Sequence, residues 1–216
     1  VKKKEFLNAI INGADLTNAV LTNRDLSEMD FSHTILNTDL TNTNFSGANL
    51  SHSIISPSKI SGINFENADL SFGDLSNSDL KSATLDKANF FKADLSYSDF
   101  SGQKLNDIDF SNANLKNANF SDVDLKNSLF IESDIENANF QNIITNKVKF
   151  NNVDFSKIKD SSLEGANLDK IVMSYCDLTG VKLPNTISYS NFYKSQINDV
   201  DFSNKIVKGS IFISTQ

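Results

Sequence analysis

The chain has few of the residues that commonly carry catalysis, metal binding or cross-linking. Its 216 residues include one cysteine, two histidines, two prolines and no tryptophan. A single cysteine excludes an intramolecular disulfide, and Cys176 is predicted to be a small buried filler. His33 and His52 have no cysteine partner and no HExxH-like spacing, so the sequence predicts no metal site and no cofactor. No Gly-rich phosphate loop and no GxSxG motif is present, which argues against an enzyme.

Long apolar runs and positive charge are also missing. No stretch approaches the roughly 18 consecutive apolar residues that a membrane span needs. The net charge of −7 argues against direct binding to the phosphates of a nucleic acid. We therefore expect a soluble protein that has no membrane span and does not bind nucleic acid directly. The cytoplasm is its expected location. Because the chain begins at Val1 rather than Met, one expectation is a piece of a longer protein, and targeting is left open.

What the sequence does contain is a five-residue period. Every fifth residue from Leu40 to Phe155 is Leu, Ile or Phe, with Thr145 as the exception. This period fits neither the 3.6 residues of a helical turn nor the 2.0 of a strand, so it predicts a repeat architecture. The period begins at Phe6 and continues to Phe212, with register breaks predicted near residues 36–40, 156–162 and 184–191. Residues 1–216 are therefore predicted to form one repeat domain.

The repeated unit is a small residue, Asp or Asn, Leu or Phe, a polar residue and a variable one. It is clearest at 48–51 (Ala-Asn-Leu-Ser), 68–71 and 93–96 (both Ala-Asp-Leu-Ser) and 113–116 (Ala-Asn-Leu-Lys). This unit resembles the A-(D/N)-L-x-x pattern of the pentapeptide-repeat family over nearly the whole chain. The resemblance implies an all-β fold, a right-handed quadrilateral parallel β-helix with four pentapeptides per coil and about ten coils.

The central Leu, Ile or Phe of each unit is expected to point to the axis of the coil. From Leu85 to Phe140 aliphatic centres alternate strictly with Phe, which predicts two opposing Phe walls and two aliphatic ones. Adjacent chain passes about 4.8 Å apart predict a rod about 50 Å long. Activity is thus expected to reside on the outer surface and not in a cleft.

Among the large apolar residues that do not fit as centres, four are predicted to share one outer face: Phe72, Phe91, Leu129 and Ile131. Two interpretations are equally open. Single exposed apolar residues are common on any protein surface, whereas several on one face can mark the binding site of a protein partner.

Aspartates that directly precede a centre are predicted to form columns. One column has Asp74, Asp94, Asp134 and Asp154. A shorter one is expected on the opposite face, with Asp39, Asp79 and Asp99. Such carboxylates could stand where a DNA-binding protein expects phosphates, and some members of the family that this chain resembles bind DNA gyrase and confer fluoroquinolone resistance. The favoured interpretation is simpler, because Asp or Asn is the repeat's own preference and Lys116 and Lys157 dilute the acidic face.

The leading functional hypothesis is a non-enzymatic protein-interaction or scaffold module. The chain is rich in Asn, Ser and Lys, and in this it resembles the pentapeptide-repeat segments of secreted bacterial effectors. Some of those segments precede a ubiquitin-ligase domain that resembles the HECT type. A protein translocated into a host cell is implied by that resemblance, and the DNA mimic is the alternative. The apolar end at Ile211–Ile213 further predicts either an end-to-end homodimer or fusion to another domain.

Overall fold

The structure, a computed structural model, describes residues 11–55, 59–213 and 215. The predicted first centre, Phe6, lies outside the described residues. Each five-residue unit runs along one side of a square coil and turns at a corner. The four sides are numbered by their central residues: Phe90, Phe110 and Phe130 on side 1; Leu95, Leu115 and Ile135 on side 2; Phe100, Phe120 and Phe140 on side 3; Leu105 and Leu125 on side 4.

Each corner is a tight turn made by the local sequence. In a representative unit, the N–H of Ala48 donates to the carbonyl of Phe45 at 2.9 Å, and Gly47 between them has φ of +66°. The N–H of Ser46 donates to Oδ1 of Asn44 at 3.0 Å. Asn and Asp tolerate positive φ and hydrogen-bond their own backbone two residues on. The polar residues of the repeat therefore build the corners.

Consecutive coils pair in parallel, and regular strands form on side 4. They make two three-stranded parallel sheets, β1 (Lys104–Asn106), β2 (Asp124–Lys126) and β3 (Ile144–Asn146), then β4 (Leu168–Asp169), β5 (Thr186–Ser188) and β6 (Ile206–Lys208). Leu105 pairs with Leu125, one coil away. The other sides pair mainly through single bridges, such as Asp94 with Asn114. The predicted fold, a right-handed quadrilateral parallel β-helix, is confirmed.

The core is a stack of side chains on the axis. Phe90 and Phe110 stack along side 1 with ring centroids 5.5 Å apart, and Phe100 stacks on Phe120 along side 3 at 4.8 Å. Across the axis Phe100 meets Phe110 edge to face at 5.6 Å. Side 1 and side 3 are thus the two opposing Phe walls that the alternation predicts. Offset and edge-to-face contacts are the preferred arrangements of aromatic rings.

Two of the register breaks are units of four residues. Leu36 and Leu40 are both buried centres of consecutive sides. The predicted break at 184–191 contains a repeat centre that the five-residue count leaves out. Ile187 is fully buried there and pairs with Leu168. A short unit therefore carries its own centre, so the coil continues without a gap.

The third break is an insertion. A short 3₁₀ helix, Lys159–Ser161, separates Phe155 from the next centre, Leu163. The N–H of Lys159 donates back to the carbonyl of Ala138 at 2.9 Å, whereas Ser162 bridges forward to Lys182. In regular units one residue makes both contacts, as Asp94 does with Asp74 and Asn114. At the insertion, Lys159 therefore pairs with the preceding coil and Ser162 with the following one.

All of these irregularities lie at the corners between sides 2 and 3 or between sides 3 and 4. The corner between sides 1 and 2 keeps its regular five-residue unit wherever the structure describes it, from Ile11 to Ile197. Residues on this corner therefore form a straight column with one residue per coil. Within the described residues, no helix has the length and apolar composition needed to cross a membrane.

Candidate functional site

The corner between sides 1 and 2 carries a ladder of stacked rings. His33, His52 and Phe72 occupy the same turn position in successive coils, each with φ between +58° and +59°. The rings of His33 and His52 lie 4.6 Å apart and nearly parallel, at 7°. His52 and Phe72 stack at the same 4.6 Å and 6°. The backbone repeat thus sets three rings at about the spacing of adjacent chain passes.

The ladder ends in a cluster of two rings and a cation. Phe91 meets Phe72 edge to face at 5.8 Å, and the Nζ of Lys92 lies 5.6 Å from the Phe72 centroid and 5.3 Å from that of Phe91. Phe72 is 44% exposed, and Ile54, which is 42% exposed, flanks the same corner on side 2. Cation–π contacts operate within about 6 Å of a ring centroid. Apolar rings and a positive charge are therefore exposed together at this corner.

The four residues predicted as one apolar face form two groups. Phe72 and Phe91 are in ring contact. Leu129 and Ile131 flank the buried Phe130 and are themselves only partly exposed. Phe91 and Ile131 hold the same position on side 1 but lie two coils apart, about 10 Å. The intervening coil places Ser111 between them, which is mostly buried.

The acidic column lies on side 2. Bridges join Asp74 to Asp94, Asp94 to Asn114 and Asn114 to Asp134 in successive coils, and Asp154 bridges onward to Asp177. One oxygen of each of the four predicted aspartates accepts the backbone N–H of the residue two positions later, at 2.9–3.3 Å. Each carboxylate is therefore first a corner-forming acceptor, the role that an asparagine fills equally well in this column.

Lysines neutralise the C-terminal part of this column. Lys116 Nζ lies 3.3 Å from Asp134 and 3.0 Å from Glu136, and Lys157 Nζ lies 2.9 Å from Asp154. Hydrogen bonds to Glu136 and Asp134 and their charges raise the pKa of Lys116. Partial burial opposes ionisation of Asp154, but hydrogen bonds from Ser156 and Lys157 outweigh it and lower the pKa of this carboxyl.

The shorter acidic column is not on the opposite face, and that prediction is wrong. Asp79 and Asp99 are paired on side 3, next to side 2, because units five residues apart occupy consecutive sides. Asp39 pairs there with Lys59, and Lys81 lies 3.5 Å from Asp79 and 3.2 Å from Asp99. This column too is interrupted by lysines.

The described residues contain no group of three or more His, Cys, Asp or Glu side chains placed to hold a metal ion. A groove of about 560 Å³ lies beside the short Leu183–Ile187 unit, where the Nζ of Lys205 donates to the carbonyl of Leu183 at 2.9 Å. Cys176 is buried in a small interior position, and burial raises the pKa of its thiol to about 12. That thiol is the opposite of an activated nucleophile.

A second cluster on the same corner went unnoticed in the sequence. Tyr175 and Tyr193 meet edge to face at 5.7 Å, and the Nζ of Lys194 lies 5.6 Å and 5.3 Å from their centroids. Hydrogen bonding to Tyr193 and the charge of Tyr175 raise the pKa of Lys194. Aligning the chain coil by coil across the irregular units would have revealed both this cluster and the histidine ladder.

The stacked coils define a solenoid protein, and family comparisons agree with this class. A profile described as pentapeptide repeats (8 copies) matches residues 8–37 and 36–56, and one described as a pentapeptide repeat region matches residues 72–140. Together they cover more than half of the chain. The chain belongs to the pentapeptide-repeat family. A search of curated proteins finds no match.

Several solved structures are similar to the chain. HetL, a pentapeptide repeat protein involved in heterocyst differentiation regulation in the cyanobacterium Nostoc sp. strain PCC 7120, is 20% identical over 100% of this chain and 94% of HetL, with a TM-score of 0.33. A trypsin-treated variant of QnrB1, a plasmid-mediated fluoroquinolone resistance protein, is 17% identical over 92% of this chain and 86% of that variant, with a TM-score of 0.42. A pentapeptide repeat protein of the Arabidopsis thaliana thylakoid lumen is 22% identical over 63% of this chain and 71% of its own, with a TM-score of 0.17.

Proposed function

We propose that this protein is a non-enzymatic module that binds another protein through side 1 and the adjoining corner with side 2. The observation that carries the proposal is the exposed cluster of Phe72, Phe91 and Lys92, whose rings and cation contact one another on the outer surface. Aromatic side chains are the commonest energetic anchors of protein interfaces. Leu129 and Ile131, about two coils further along side 1, are proposed as a second point of contact.

Two features of the remaining surface favour binding over catalysis. The carboxylates of side 2 hold corners and pair with lysines, as Asp154 does with Ser156 and Lys157. A catalytic acid normally has a raised pKa in a cleft, whereas in the groove that holds Asp134, Glu136 and Asp154 the neighbouring Lys116 and Lys157 pair with these carboxylates, and the pKa of Asp154 is lowered. We infer that the rod acts as a scaffold that presents side chains at fixed spacing.

Site-specific cross-linking tests this proposal. A photoreactive phenylalanine analogue is placed at Phe91 or, as a control, at Gln141, which holds the equivalent position on side 3. We expect a discrete cross-linked protein from position 91 in cells that make this chain, little from position 141, and loss of the product in the Phe72→Ser variant. Equal labelling from both positions would refute the proposed face. The pair Phe91→Ser and Ile131→Ser, with partner binding unchanged, would do the same.

The alternative is a DNA mimic that binds DNA gyrase through the acidic column. The alignment of Asp74, Asp94 and Asp134 with Asn114 favours it, since the carboxyl groups follow a straight line. Replacing Asp74, Asp94, Asp134 and Asp154 by Asn removes the charges but keeps the corner-forming oxygen. A gyrase supercoiling assay then separates the two functions. Inhibition by the native chain that vanishes in this variant supports mimicry, and no inhibition by either rejects it.

The scaffold is also proposed to be a part of a larger bacterial effector. Its support is compositional resemblance alone, so the test is the complete open reading frame that encodes this chain. A further domain, such as one resembling a HECT-type ubiquitin ligase, would support the effector hypothesis. A reading frame without such a domain would remove its basis and leave the binding surface unaffected.

A further inference from the structure

The corner between sides 1 and 2 carries the same arrangement twice. In each copy two rings meet edge to face, at 5.8 Å for Phe72 with Phe91 and 5.7 Å for Tyr175 with Tyr193. In each copy a lysine follows the second ring, with its Nζ 5.6 Å and 5.3 Å from the two centroids. The match in distance, angle and order along the chain makes these two clusters one repeated surface motif.

The two clusters face outward in line. Backbone hydrogen bonds connect the turn residues of this corner coil by coil, beginning with Phe72 to Phe91 and ending with Tyr175 to Tyr193. Phe72 and Tyr175 are five coils apart, so the clusters are separated by about 24 Å. The insertion after Phe155 lies at a different corner, and the hydrogen bonds of this corner continue past it, from Asn152 to Ser174. A partner can therefore reach both clusters without bending.

The lysines of the two clusters differ from those of the acidic columns. Lys81, Lys116 and Lys157 each form an ion pair with a nearby carboxylate. Among the residues that the structure describes, Lys92 and Lys194 form no such pair and instead lie over rings. Both are exposed, as are Phe72 and Tyr175. A carboxylate from outside would complete each cluster, with the ring edges as the adjoining apolar contact.

We propose that the two clusters are a bivalent docking surface for one extended acidic segment of a partner protein, with a carboxylate beside an apolar side chain at each of two anchor points. This inference rests on the proposed protein-binding function and specifies the chemistry of the partner. An extended chain rises about 3.4 Å per residue, so about seven residues separate the two anchors. Two weak sites joined by such a segment bind far more tightly than either alone.

A single-stranded nucleic acid is the competing anion, and the geometry disfavours it. Bases stack on exposed ring faces, whereas the ring of Phe72 is already stacked on His52 and meets the edge of Phe91. The net charge of −7 also opposes a polyanion longer than the corner itself. Glu132 holds the same turn position between the two clusters, and the aspartates of side 2 flank the corner. The linker between the two anchors must therefore be uncharged, so that only the anchors carry carboxylates.

Fluorescence anisotropy with synthetic peptides tests the proposal on the full chain. The probe is a fluorescein-labelled peptide with two Glu-Phe-Glu anchors whose phenylalanines are seven positions apart in a Gly-Ser background. A one-anchor peptide, a peptide with Lys in place of Glu, and an oligothymidylate are measured beside it. We expect the two-anchor peptide to bind at least about tenfold more tightly than the one-anchor peptide, and the other two probes to bind more weakly still.

Charge-reversed variants locate the site. K92E with K194E is expected to weaken binding of the two-anchor peptide at least about tenfold. K87E with K147E is the matched control, because both residues occupy the same positive-φ turn position on the corner between sides 4 and 1 and change the net charge equally. That control is expected to change binding less than about twofold, since neither lysine lies over the rings of the two clusters and exposed charges on another corner are partly screened at physiological salt. Circular dichroism of both variants checks that the coil is intact.

Three results would overturn the inference. Equal weakening by both variant pairs would reduce the effect to net charge, equal binding of the one- and two-anchor peptides would refute bivalence, and preferential binding of oligothymidylate would replace the acidic peptide by a nucleic acid. None of these disproves the proposed function, because a partner cross-linked from position 91 could still bind by another chemistry. Failure of that cross-linking with success of the peptides would instead place the true contact at the two lysines.

Discussion

At most repeat units, the aspartate or asparagine that precedes the centre holds its corner through one oxygen atom. Asp94 accepts the N–H of Ser96 at 2.9 Å, and Asn44 accepts that of Ser46 at 3.0 Å. The second terminal group of the side chain is then available for the next coil, as when Nδ2 of Asn114 donates to Asp94 at 3.1 Å. Turn formation therefore needs only the oxygen that Asp and Asn share, whereas the amide of Asn adds a donor to the adjacent coil that an ionised aspartate lacks.

Phe110 is the residue at which core packing is most easily tested. It stacks on Phe90 and Phe130 and meets Phe100 and Phe120 edge to face. We expect Phe110→Ala to lower the free energy of unfolding by about 3–5 kcal/mol, the usual effect of removing a buried phenylalanine. Urea unfolding measures it. Phe72→Ala is the matched control at an exposed phenylalanine, and an equal loss in both variants would contradict the assigned core.

Cys176 gives the stability a pH dependence in alkaline solution. Burial raises the pKa of its thiol from 9.0 to about 12, so between these values the unfolded chain loses the proton before the folded chain does. The free energy of unfolding should therefore fall as pH rises above about 9. The difference between the native chain and Cys176→Ala isolates this contribution, because other groups titrate in both. A pH-independent difference between them would show that the thiol is not buried.

At the scale of the repeat unit, most of the fold was predictable and the exceptions have physical reasons. The regular units were found because one large apolar residue recurs in polar sequence, a signal that no other architecture produces. Ile187 was missed because a four-residue unit breaks the count, although its burial shows that the coil tolerates the shorter step. The ring ladder was missed for a related reason, since His33 and His52 are 19 residues apart across the short unit at 36–40.

The 3₁₀ insertion is expected to be dispensable. Deleting Lys159–Ser161 joins Ile158 to Ser162, which restores the five-residue step from Phe155 to Leu163 and lets the N–H of Ser162 reach the carbonyl of Ala138. Circular dichroism should be unchanged and the melting temperature should fall by no more than a few degrees, since only an exposed turn is lost. The control removes residues 116–118 from a regular unit. Equal damage from both deletions would contradict the interpretation of this segment as an insertion.

At the scale of the whole molecule, many corner carboxylates share one acid response. Hydrogen bonds from Thr17, Thr41 and Ser203 lower the pKa values of Asp15, Asp39 and Asp201. The folded chain thus binds these protons more weakly than the unfolded chain does. The stabilisation is present above the unfolded pKa of about 4 and is lost as pH falls below it.

Acid unfolding tests this shared response. The free energy of unfolding, measured in urea, is expected to fall between pH 5 and about pH 2–3. A variant with Asp15, Asp39 and Asp201 replaced by Asn should lose less over that range while matching the native chain near pH 7. Identical pH profiles for the two proteins would mean that these corners are not held by ionised carboxylates.

The equivalence of Asp and Asn at the corners has a consequence for how such a protein evolves. Codons for these two amino acids differ by a single base, so one mutation can add or remove a negative charge while the turn-forming oxygen stays in place. Selection for folding then acts on the Leu and Phe of the axis, and selection by whatever the rod meets acts on the charge of its corners. The charges on the surface can therefore change repeatedly during evolution while the fold of the coil stays the same.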